Sequence, residues 1–376
     1  MTLVTLVTFA FVDFQDVLVA MLSLLDVASG AVLALSFGFL LLPSAVGFLI
    51  GGIGSLLAKS VTPVSFQQEN LVLAFSLSKD MRPRVSMILG AAFLTGLLGV
   101  LGLPQLIVDT IGAEIFFGML AGVGIYLTVV GYDLAKKNWL IGAPCLAVAI
   151  IVQLRTDNLV WAVATSVPLG IIIKLIQDKF TIAEDRDKIK APQYKSLWEG
   201  IRTEFKAFRP VINFNVIIGG LAIATLTLGG TIAYTAVNLD MSGFTRTYNE
   251  VSMISGVADF GSSFFGGAPM EVIVSATAAT PNPIISGAIL MFGAAALLLS
   301  GLIYKIARYI PLAAMGGYLV VIGAILVLPF NTMDAFAAGS PVVVALTMGT
   351  TAATNPFYGL VVGLLTKLVM GWLGVL

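Results

Sequence analysis

The sequence predicts an all-α membrane protein with many transmembrane segments. Of its 376 residues, 58% are hydrophobic and 11% are charged, and the mean hydropathy is +1.02. Soluble domains carry about 25% charged residues. Charge is concentrated between Lys174 and Arg209, which leaves too few charged side chains to cover a water-exposed surface elsewhere. We therefore expect a multi-pass protein of the cell membrane, in contact with the lipid bilayer.

The composition also excludes several kinds of chemistry. The chain has no histidine, which excludes His-based catalytic triads, His-ligated metals and imidazole proton relays. The single cysteine, Cys145, cannot form an internal disulfide. A formal net charge of zero argues against nucleic acid as a partner. We expect no enzyme activity, no cofactor and no metal.

Apolar runs near the length of a transmembrane helix, about 20 residues, follow one another along the chain. They cover approximately 9–30, 36–58, 85–103, 110–131, 139–154, 159–177, 213–237, 284–304, 311–329, 340–353 and 356–374, with a Gly- and Ser-rich segment at 244–266. Two more apolar stretches, 62–79 and 267–282, are too short or too broken to cross alone. Counting both as interrupted crossings predicts about 14 segments.

The polar stretch 177–210 divides the chain into halves of similar size that resemble each other. Gly54-Ser55 precedes Pro63 in the first half much as Gly261-Ser262 precedes Pro269 in the second, and residues 124–131 resemble residues 316–323. We interpret the halves as a duplicated unit. Seven crossings per unit is an odd number, so the second copy must be inverted in the membrane.

Each half has one interrupted segment, and each of these segments carries a carboxylate. Glu69 follows Pro63, and Glu271 follows Pro269. An ionisable side chain inside a membrane segment costs about 2.5–3.5 kcal/mol, and paired broken segments indicate the midplane site of a transporter. We predict Glu271 and Glu69 as solute-binding residues. Amide contacts would come from Gln67, Gln68 and Asn70.

A half-helix beginning near Leu71 or Val274 would direct unpaired N–H groups and the positive end of its dipole at this site. A carboxylate there could exchange a proton, and the candidates for proton coupling are Glu271, Glu69 and Asp26. Na⁺ is the other coupling ion considered. For both glutamates the alternative is a helix cap or an interfacial ion pair, which for Glu69 could involve Lys59 or Lys79.

For the other acidic residues, a structural role is the favoured interpretation. Asp13 and Asp16 lie near the start of the first apolar run and are predicted at the membrane interface. Asp133 adjoins two lysines, as expected of a solvated loop end. Asp259 could cap a helix or pair with Arg246, and a functional role is the less favoured interpretation.

Several short motifs resemble the nucleobase–cation symporters, which include bacterial uracil and xanthine permeases. Residues 14–21 resemble the first helix of that family, and residues 51–57 with Thr62-Pro-Val resemble its second helix leading into a short strand. Residues 264–269 and 310–317 resemble its tenth and twelfth segments. The resemblance keeps its order over nearly the whole chain.

The resemblance implies a 7+7 inverted repeat divided into a core and a gate domain. Core segments would occupy 1–103 and 211–304, gate segments 104–180 and 305–376, and a polar connecting loop 181–210. Segments 3 and 10 would each pair a short strand with a half-helix, and the protein could form a homodimer. Glu271 matches the tenth-segment carboxylate of the family, whereas Thr227 stands where the eighth-segment carboxylate is expected.

We therefore predict a secondary active transporter that takes up a nucleobase with a proton as the core moves against the gate. The alternative is an anion or aromatic-acid transporter of the same fold, similar to SulP or benzoate transporters. The two central carboxylates speak against this alternative, because anion sites avoid acids. Asp16 replaces the first-helix histidine of the symporter family, which also puts nucleobase specificity in doubt.

The basic residues predict which connections share a side of the membrane. Sixteen Lys and Arg residues fall after odd-numbered crossings, whereas only Lys59, Arg155 and Arg246 fall on the opposite side. An even crossing count places both termini on one side. The positive-inside rule places them outside and the family resemblance places them inside, so the absolute orientation stays open.

Overall fold

The computed structural model describes residues 13–157, 159–180, 194, 196–206, 208–244, 248–307 and 309–375. Half of the predicted connecting loop 181–210, namely residues 181–193, 195 and 207, lies outside these residues, as does Arg246. Six helical stretches in the described chain are long and apolar enough to cross a membrane, and four shorter apolar helices accompany them. These helices confirm the predicted helical multi-pass architecture, whereas the count of 14 segments and the inverted repeat stay predictions.

The helices and strands follow one another in a simple order. The first half contains α1 (Phe14–Ser36), α2 (Leu41–Ala58), β1 (Val64–Phe66), α3 (Gln68–Leu77), α4 (Met81–Val100), α5 (Pro104–Ile111), α6 (Ala113–Ala135), α7 (Trp139–Thr156) and α8 (Leu159–Phe180). The connector contributes α9 (Leu197–Glu204). The second half contains α10 (Phe214–Ser242), α11 (Tyr248–Ser263), β2 (Met270–Val272), α12 (Pro283–Leu299), α13 (Leu302–Ala307), α14 (Leu312–Val321), α15 (Leu328–Ala338), α16 (Pro341–Ala353) and α17 (Pro356–Trp372).

Several helices extend beyond the predicted segments. The first ends at Ser36 rather than near residue 30, and α10 continues to Ser242. The observed helix in the region of the predicted segment 311–329 is longer than that segment, because α14 continues through a π-helical turn, Ile322–Val327, directly into α15. Pro329 follows that turn and removes one backbone donor, and π-helical turns commonly relieve such interruptions inside helices.

The two interrupted crossings meet in a two-stranded antiparallel sheet. Ser65 of β1 lies opposite Glu271 of β2. The amide of Ile273 extends the pairing by donating to the Pro63 carbonyl at 3.2 Å. Backbone groups inside a membrane need internal partners, and each broken segment supplies them to the other.

Glycines of the first two helices allow those helices to approach the strand pair closely. A Cβ atom added at Gly30 of α1 would lie 2.8 Å from Cβ of Phe66, and one added at Gly51 of α2 would lie 2.8 Å from Cγ2 of Val64. The strands are thus enclosed by helix backbone as well as by side chains.

Packing divides the helices into two groups. In the first group, α4 packs against α10 and α11, and α2 packs against α11 and α12. In the second group, α6 packs against α14, α15 and α16, and α7 packs against α8 and α14. The predicted division into core and gate domains stays a prediction, as do its exact boundaries.

Helices α4 and α11 cross at two facing glycines. A Cβ atom added at Gly256 would lie 2.4 Å from both Cα and N of Gly96. Close backbone approach of this kind is typical of packing between membrane helices, where small residues form the contact.

The buried guanidinium of Arg84 holds together the ends of α1 and α3. It donates to the carbonyl oxygens of Phe37 and Ser78 and lies 4.8 Å from the centroid of the Phe75 ring. Orphan carbonyls at helix C-termini need donors. Arg84 therefore serves a structural role at the edge of the first group.

The connector helix α9 is fastened to the first group by one buried carboxylate. Glu204 accepts hydrogen bonds from the amide of Leu42 at 3.0 Å and from the hydroxyls of Tyr304 at 2.6 Å and Tyr194 at 2.7 Å. An acid at the N-terminus of α2 also complements the helix dipole. Burial and the hydrogen bond to Glu204 raise the pKa of Tyr194, so its hydroxyl stays a donor at physiological pH.

We expect Gly256→Ala to destabilise the protein, because its methyl group would collide with the backbone of α4. Overpacking typically costs about 1–3 kcal/mol, and thermal unfolding in detergent should show a lower midpoint. Gly90→Ala is the matched control, because a Cβ atom there has no neighbour within 4 Å. Equal midpoints for the two variants would contradict this packing.

Tyr304→Phe should also lower stability, because it removes a donor from the buried Glu204 carboxylate. Hydrogen bonds to charged groups contribute about 1.5–3 kcal/mol. Tyr132→Phe, on an exposed tyrosine of α6, provides the comparison. Thermal unfolding followed by size-exclusion chromatography measures both, and an unchanged midpoint for Tyr304→Phe would show that the carboxylate does not anchor the connector.

Candidate functional site at the strand pair

The buried carboxylate of Glu271 is the centre of the candidate site. Glu271 is 1% exposed, and its Oε1 accepts hydrogen bonds from the side-chain amide of Asn70 and the hydroxyl of Thr227. The Asn70 amide also reaches the Thr227 hydroxyl at 3.0 Å. The structure thus brings together three of the predicted site residues, from β2, α3 and α10. Their role in binding stays a prediction.

Glu69 lies on the first turn of α3 and contacts the same face of α10. Its carboxylate accepts a hydrogen bond from the hydroxyl of Tyr234 at 2.9 Å. Thr227 and Tyr234 are seven residues apart, which corresponds to two turns or about 10 Å along a helix. Both predicted glutamates are therefore buried beside the strand pair, and neither pairs with a lysine in the described chain.

The two glutamines before Glu69 extend the polar surroundings toward α1. Gln67 occupies the N-cap position of α3, and Nε2 of Gln68 donates to Oδ1 of Asp26 at 3.4 Å. Asp26 is half-buried. All three predicted proton-coupling candidates thus lie around the start of α3.

Asp259 and Tyr234 belong to the same surroundings, although neither was among the site residues predicted from the sequence. Asp259 is 1% exposed and accepts a hydrogen bond from the amide of Met270 at 3.1 Å. It holds β2 from the side of α11. A carboxylate in a Gly- and Ser-rich helix is visible in the sequence and could have indicated Asp259 as a site residue. Tyr234 lies in an apolar helix, and only the structure reveals its partner.

Several buried polar atoms around the strands have no hydrogen-bond partner. They are Oγ of Ser65, Nε2 of Gln67, Oε1 of Gln68, Oδ1 of Asn70 and Oε2 of Glu271. An unsatisfied buried polar group costs about 1–3 kcal/mol, and such groups in a folded protein require an explanation. A bound polar solute would satisfy donors and acceptors together.

The half-helices differ between the two halves. In the first half α3 begins at Gln68, close to the predicted start, and its N-terminus meets β1. The prediction of a half-helix near Val274 is wrong, because β2 is followed only by a 3₁₀ turn, Ala276–Ala279. Pro281 and Pro283 come directly after this turn and prevent a longer helix. Only the first half therefore directs a helix dipole at the site.

Asp16 joins the start of α1 to the start of α12. It is buried, and its two carboxylate oxygens accept hydrogen bonds from the backbone and side-chain amides of Asn282, both at 2.9 Å. Asp13 is exposed and caps α1 by accepting from the amide of Gln15. Both acids are structural, and Asp16 contributes no free group to the site.

The carboxylates around the strand pair are not neutralised by bases. Among the described residues, the ion pairs join Lys136 to Asp133 and Lys367 to Glu114, away from the strands. No group of three or more acids and cysteines with metal-binding geometry occurs in the part of the chain that the structure describes. Any neutralising charge would therefore be a proton, a transported ion or a bound solute.

Two solved structures of anion transporters share this fold. The transmembrane domain of the cyanobacterial bicarbonate transporter BicA matches with a TM-score of 0.65 and 15% identity over 94% of this chain and 98% of that chain. Murine SLC26A9, an anion transporter in its inward-facing state, matches with a TM-score of 0.62 and 11% identity over 96% of this chain and 68% of that chain. No protein-family model matches the sequence, and no curated protein matches it significantly.

The predicted resemblance to nucleobase–cation symporters is wrong, since the structural neighbours are SLC26/SulP-type anion transporters. The short motifs that suggested this family have a structural explanation that is independent of the solute. Gly51 makes room for Val64, and a Cβ atom at Gly267 would lie 2.4 Å from the Ser262 hydroxyl oxygen. Such residues are required to build the strand pair, whatever the solute. The chain has the helical membrane-transporter fold shared with these anion transporters.

Proposed function

We propose that the protein is a secondary transporter of a small monovalent oxyanion and that a proton on Glu271 accompanies the anion. The observation that carries this proposal is the strand pair. It lies in a fold shared with a bicarbonate transporter and an anion transporter, and it presents unpartnered polar atoms at the N-terminus of α3.

The N-terminus of α3 supplies the attraction for an anion. The first turn of a helix has free N–H groups and the positive end of the helix dipole, which together favour negative charge. The side-chain amide of Gln67 and the hydroxyl of Ser65 are buried donors without partners beside it. These groups are matched to the oxygens of a small oxyanion.

The unpartnered acceptors further restrict which solutes can fit the site. Oδ1 of Asn70 and Oε1 of Gln68 require a donor, which chloride and sulfate do not have. Bicarbonate carries one hydroxyl donor and several acceptor oxygens. The mixture of free donors and acceptors favours a hydroxyl-bearing monoanion of this type.

The central acids fit an anion only when they are neutral. An ionised Glu271 would repel a negative solute, and burying such a charge without a partner is strongly unfavourable. A protonated carboxyl group becomes a donor at one oxygen. Its Oε2 has no partner and would donate to the anion, so anion and proton would bind together and leave together.

The arrangement of the two helix groups suggests how the solute would cross. The strand pair belongs to the first group, and α3 contacts α6 of the second group. Movement of the first group against the second would expose the strand pair to either side in turn. The predicted core and gate segments would be the moving parts of this cycle.

Purified protein in proteoliposomes should take up ¹⁴C-bicarbonate saturably, and an inward proton gradient should increase the rate. Sulfate and chloride should compete weakly. Benzoate and ³H-uracil serve as comparison solutes, and a Na⁺ gradient tests the other coupling ion. Saturable uptake of uracil without uptake of bicarbonate would contradict the proposed solute.

Glu271→Gln should reduce gradient-driven uptake at least about 10-fold and remove its dependence on the proton gradient. Glutamine keeps a neutral donor but cannot release a proton, so exchange of labelled for unlabelled anion should be less affected. Asp334→Asn is the control, because Asp334 is an exposed acid on α15. Parental gradient dependence in Glu271→Gln would exclude Glu271 as the proton carrier.

Glu69→Gln and Asp26→Asn test the remaining coupling candidates. If either carboxylate takes part in coupling, its amide variant should lose most of the driven uptake, measured in the same vesicles. Near-normal transport in both variants would assign coupling to Glu271 alone.

A further inference from the structure

Helices α16 and α17 are joined by a polar bend, which we call the gate elbow and define as Thr351, Thr354, Asn355 and Pro356. Helix α16 has 13 residues and α17 has 17 residues, so they span about 20 and 26 Å at 1.5 Å per residue. The hydrocarbon core is about 30 Å thick. Both helices are shorter than this thickness, so a hairpin of these two helices would place its elbow within the membrane.

The opposite end of α17 is held by an ion pair. Nζ of Lys367 lies 2.7 Å from a carboxylate oxygen of Glu114, at the start of α6, and 3.5 Å from the carbonyl oxygen of Ile111. The hairpin is thus fastened at its outer end. Its elbow projects toward the first group of helices.

The elbow meets Glu69 across a small cavity between the two groups. Residues of the first group lining this cavity include Glu69 and Leu73, and those of the second group include Tyr126, Thr351 and Asn355. Its volume of about 10 Å³ accommodates no more than about one water molecule. A solute could contact the elbow only after the groups separate.

Thr351 brings an unused hydroxyl to this cavity. It is 2% exposed, and its Oγ1 has no hydrogen-bond partner. Neighbouring threonines of the hairpin differ, because Thr347 donates to the Val343 carbonyl at 2.7 Å and Thr354 donates to the Thr350 carbonyl at 2.6 Å. The Thr351 hydroxyl alone among these three is left for another partner.

Gly359 leaves the space that the Thr351 hydroxyl occupies. A Cβ atom added at Gly359 would lie 1.8 Å from Oγ1 of Thr351. Any side chain there would displace the hydroxyl. The glycine therefore places this free group beside the first turns of α17.

The N-terminus of α17 adds a positive helix end to the elbow. Asn355 caps the helix by accepting from the amide of Tyr358 at 3.2 Å, and Pro356 occupies the first position without an N–H group. The amide of Phe357 remains in the first turn, where intrahelical acceptors are lacking. The positive end of α17 and the residue with the free hydroxyl thus line the same cavity as the acid Glu69.

We propose that the gate elbow is a second binding site for the transported monoanion, formed by the Thr351 hydroxyl and the first turn of α17. This inference rests on the proposed function. The strand pair holds the anion on the first group, and the elbow receives it from the second group when the cavity opens. Glu69 lies between the two sites and separates them in the closed arrangement.

The experiment compares three threonine variants by ¹⁴C-bicarbonate uptake in proteoliposomes. Thr351→Val should raise KM about 10-fold, because it removes a donor to the anion. Thr351→Ser keeps the hydroxyl and should restore the parental KM. Thr347→Val is the matched control, being a buried threonine one turn earlier whose hydroxyl already has a partner. It should stay within about twofold of the parent.

A second pair of variants tests the site without changing the hydroxyl itself. Gly359→Ala should displace the Thr351 hydroxyl and raise KM similarly, whereas Gly349→Ala of α16 should not, because a Cβ atom there has no neighbour within 4 Å. Thermal unfolding midpoints of all variants identify any variant that merely misfolds. If Gly359→Ala misfolds, the comparison of KM between Thr351→Ser and Thr351→Val decides whether the elbow binds the anion.

The outcomes separate the elbow from the proposed function. Loss of driven uptake in Glu271→Gln with a parental KM in Thr351→Val would overturn the elbow site and leave the proposed function standing. Absence of bicarbonate uptake by the parent protein would overturn both. An increased KM in Thr351→Val and Gly359→Ala, with parental values in their controls, is the result that supports the elbow.

Discussion

The structure depends on a rule of backbone hydrogen bonding, namely that each N–H and C=O group in the hydrocarbon needs a partner within the protein. Pro63 and Pro269 interrupt two crossings and leave extended backbone at membrane depth. The pairing of β1 with β2 satisfies these groups. Close approach of α1 and α2 to the strands then requires glycine at Gly30 and Gly51, so helix packing follows from the same constraint.

The strand pair also determines where polar chemistry is possible in this chain. Side chains on short extended segments need not follow the apolar face of a membrane helix, and Glu271 is carried on such a segment opposite Ser65. Asn70 and Thr227 approach it from two helices. A solute bound here would contact both broken crossings at once, which couples its binding to their relative position.

The distribution of charge separates this site from the rest of the protein. Acids surround the strands, whereas the buried base Arg84 is used by helix-end carbonyls and aromatic rings. A site with buried acids and no bases among the described residues cannot hold an anion by simple ion pairing. Helix N-termini, neutral donors and a bound proton can do so, and α3 and α17 supply the helix ends. The first helix group would thereby contribute the N-terminus of α3 to anion binding, and the second group would contribute the N-terminus of α17.

Some conclusions followed from local sequence. Long apolar runs predicted the membrane helices, and a proline followed by an acid in each half indicated the two broken crossings, Pro63 with Glu69 and Pro269 with Glu271. These signals are local because hydrophobic length and a missing backbone donor act within one segment. The motif that suggested a nucleobase failed because its glycines serve backbone packing and contain no information about the solute.

Other conclusions required the tertiary structure. Thr227 and Tyr234 lie in an apolar helix, and Thr227 bonds the Ile223 carbonyl of the preceding turn as helical threonines ordinarily do. Its additional partner Glu271, and the partner Glu69 of Tyr234, are not near in sequence. The free hydroxyl of Thr351 is recognisable only beside Gly359. The sequence by itself determined the membrane class and the position of the breaks. Which polar groups meet, and which remain free to bind a solute, was decided by tertiary packing. Glu69 and Asn70 bond to residues 165 and 201 positions away, and Thr227 lies 44 positions from Glu271, so no local pattern contains these contacts.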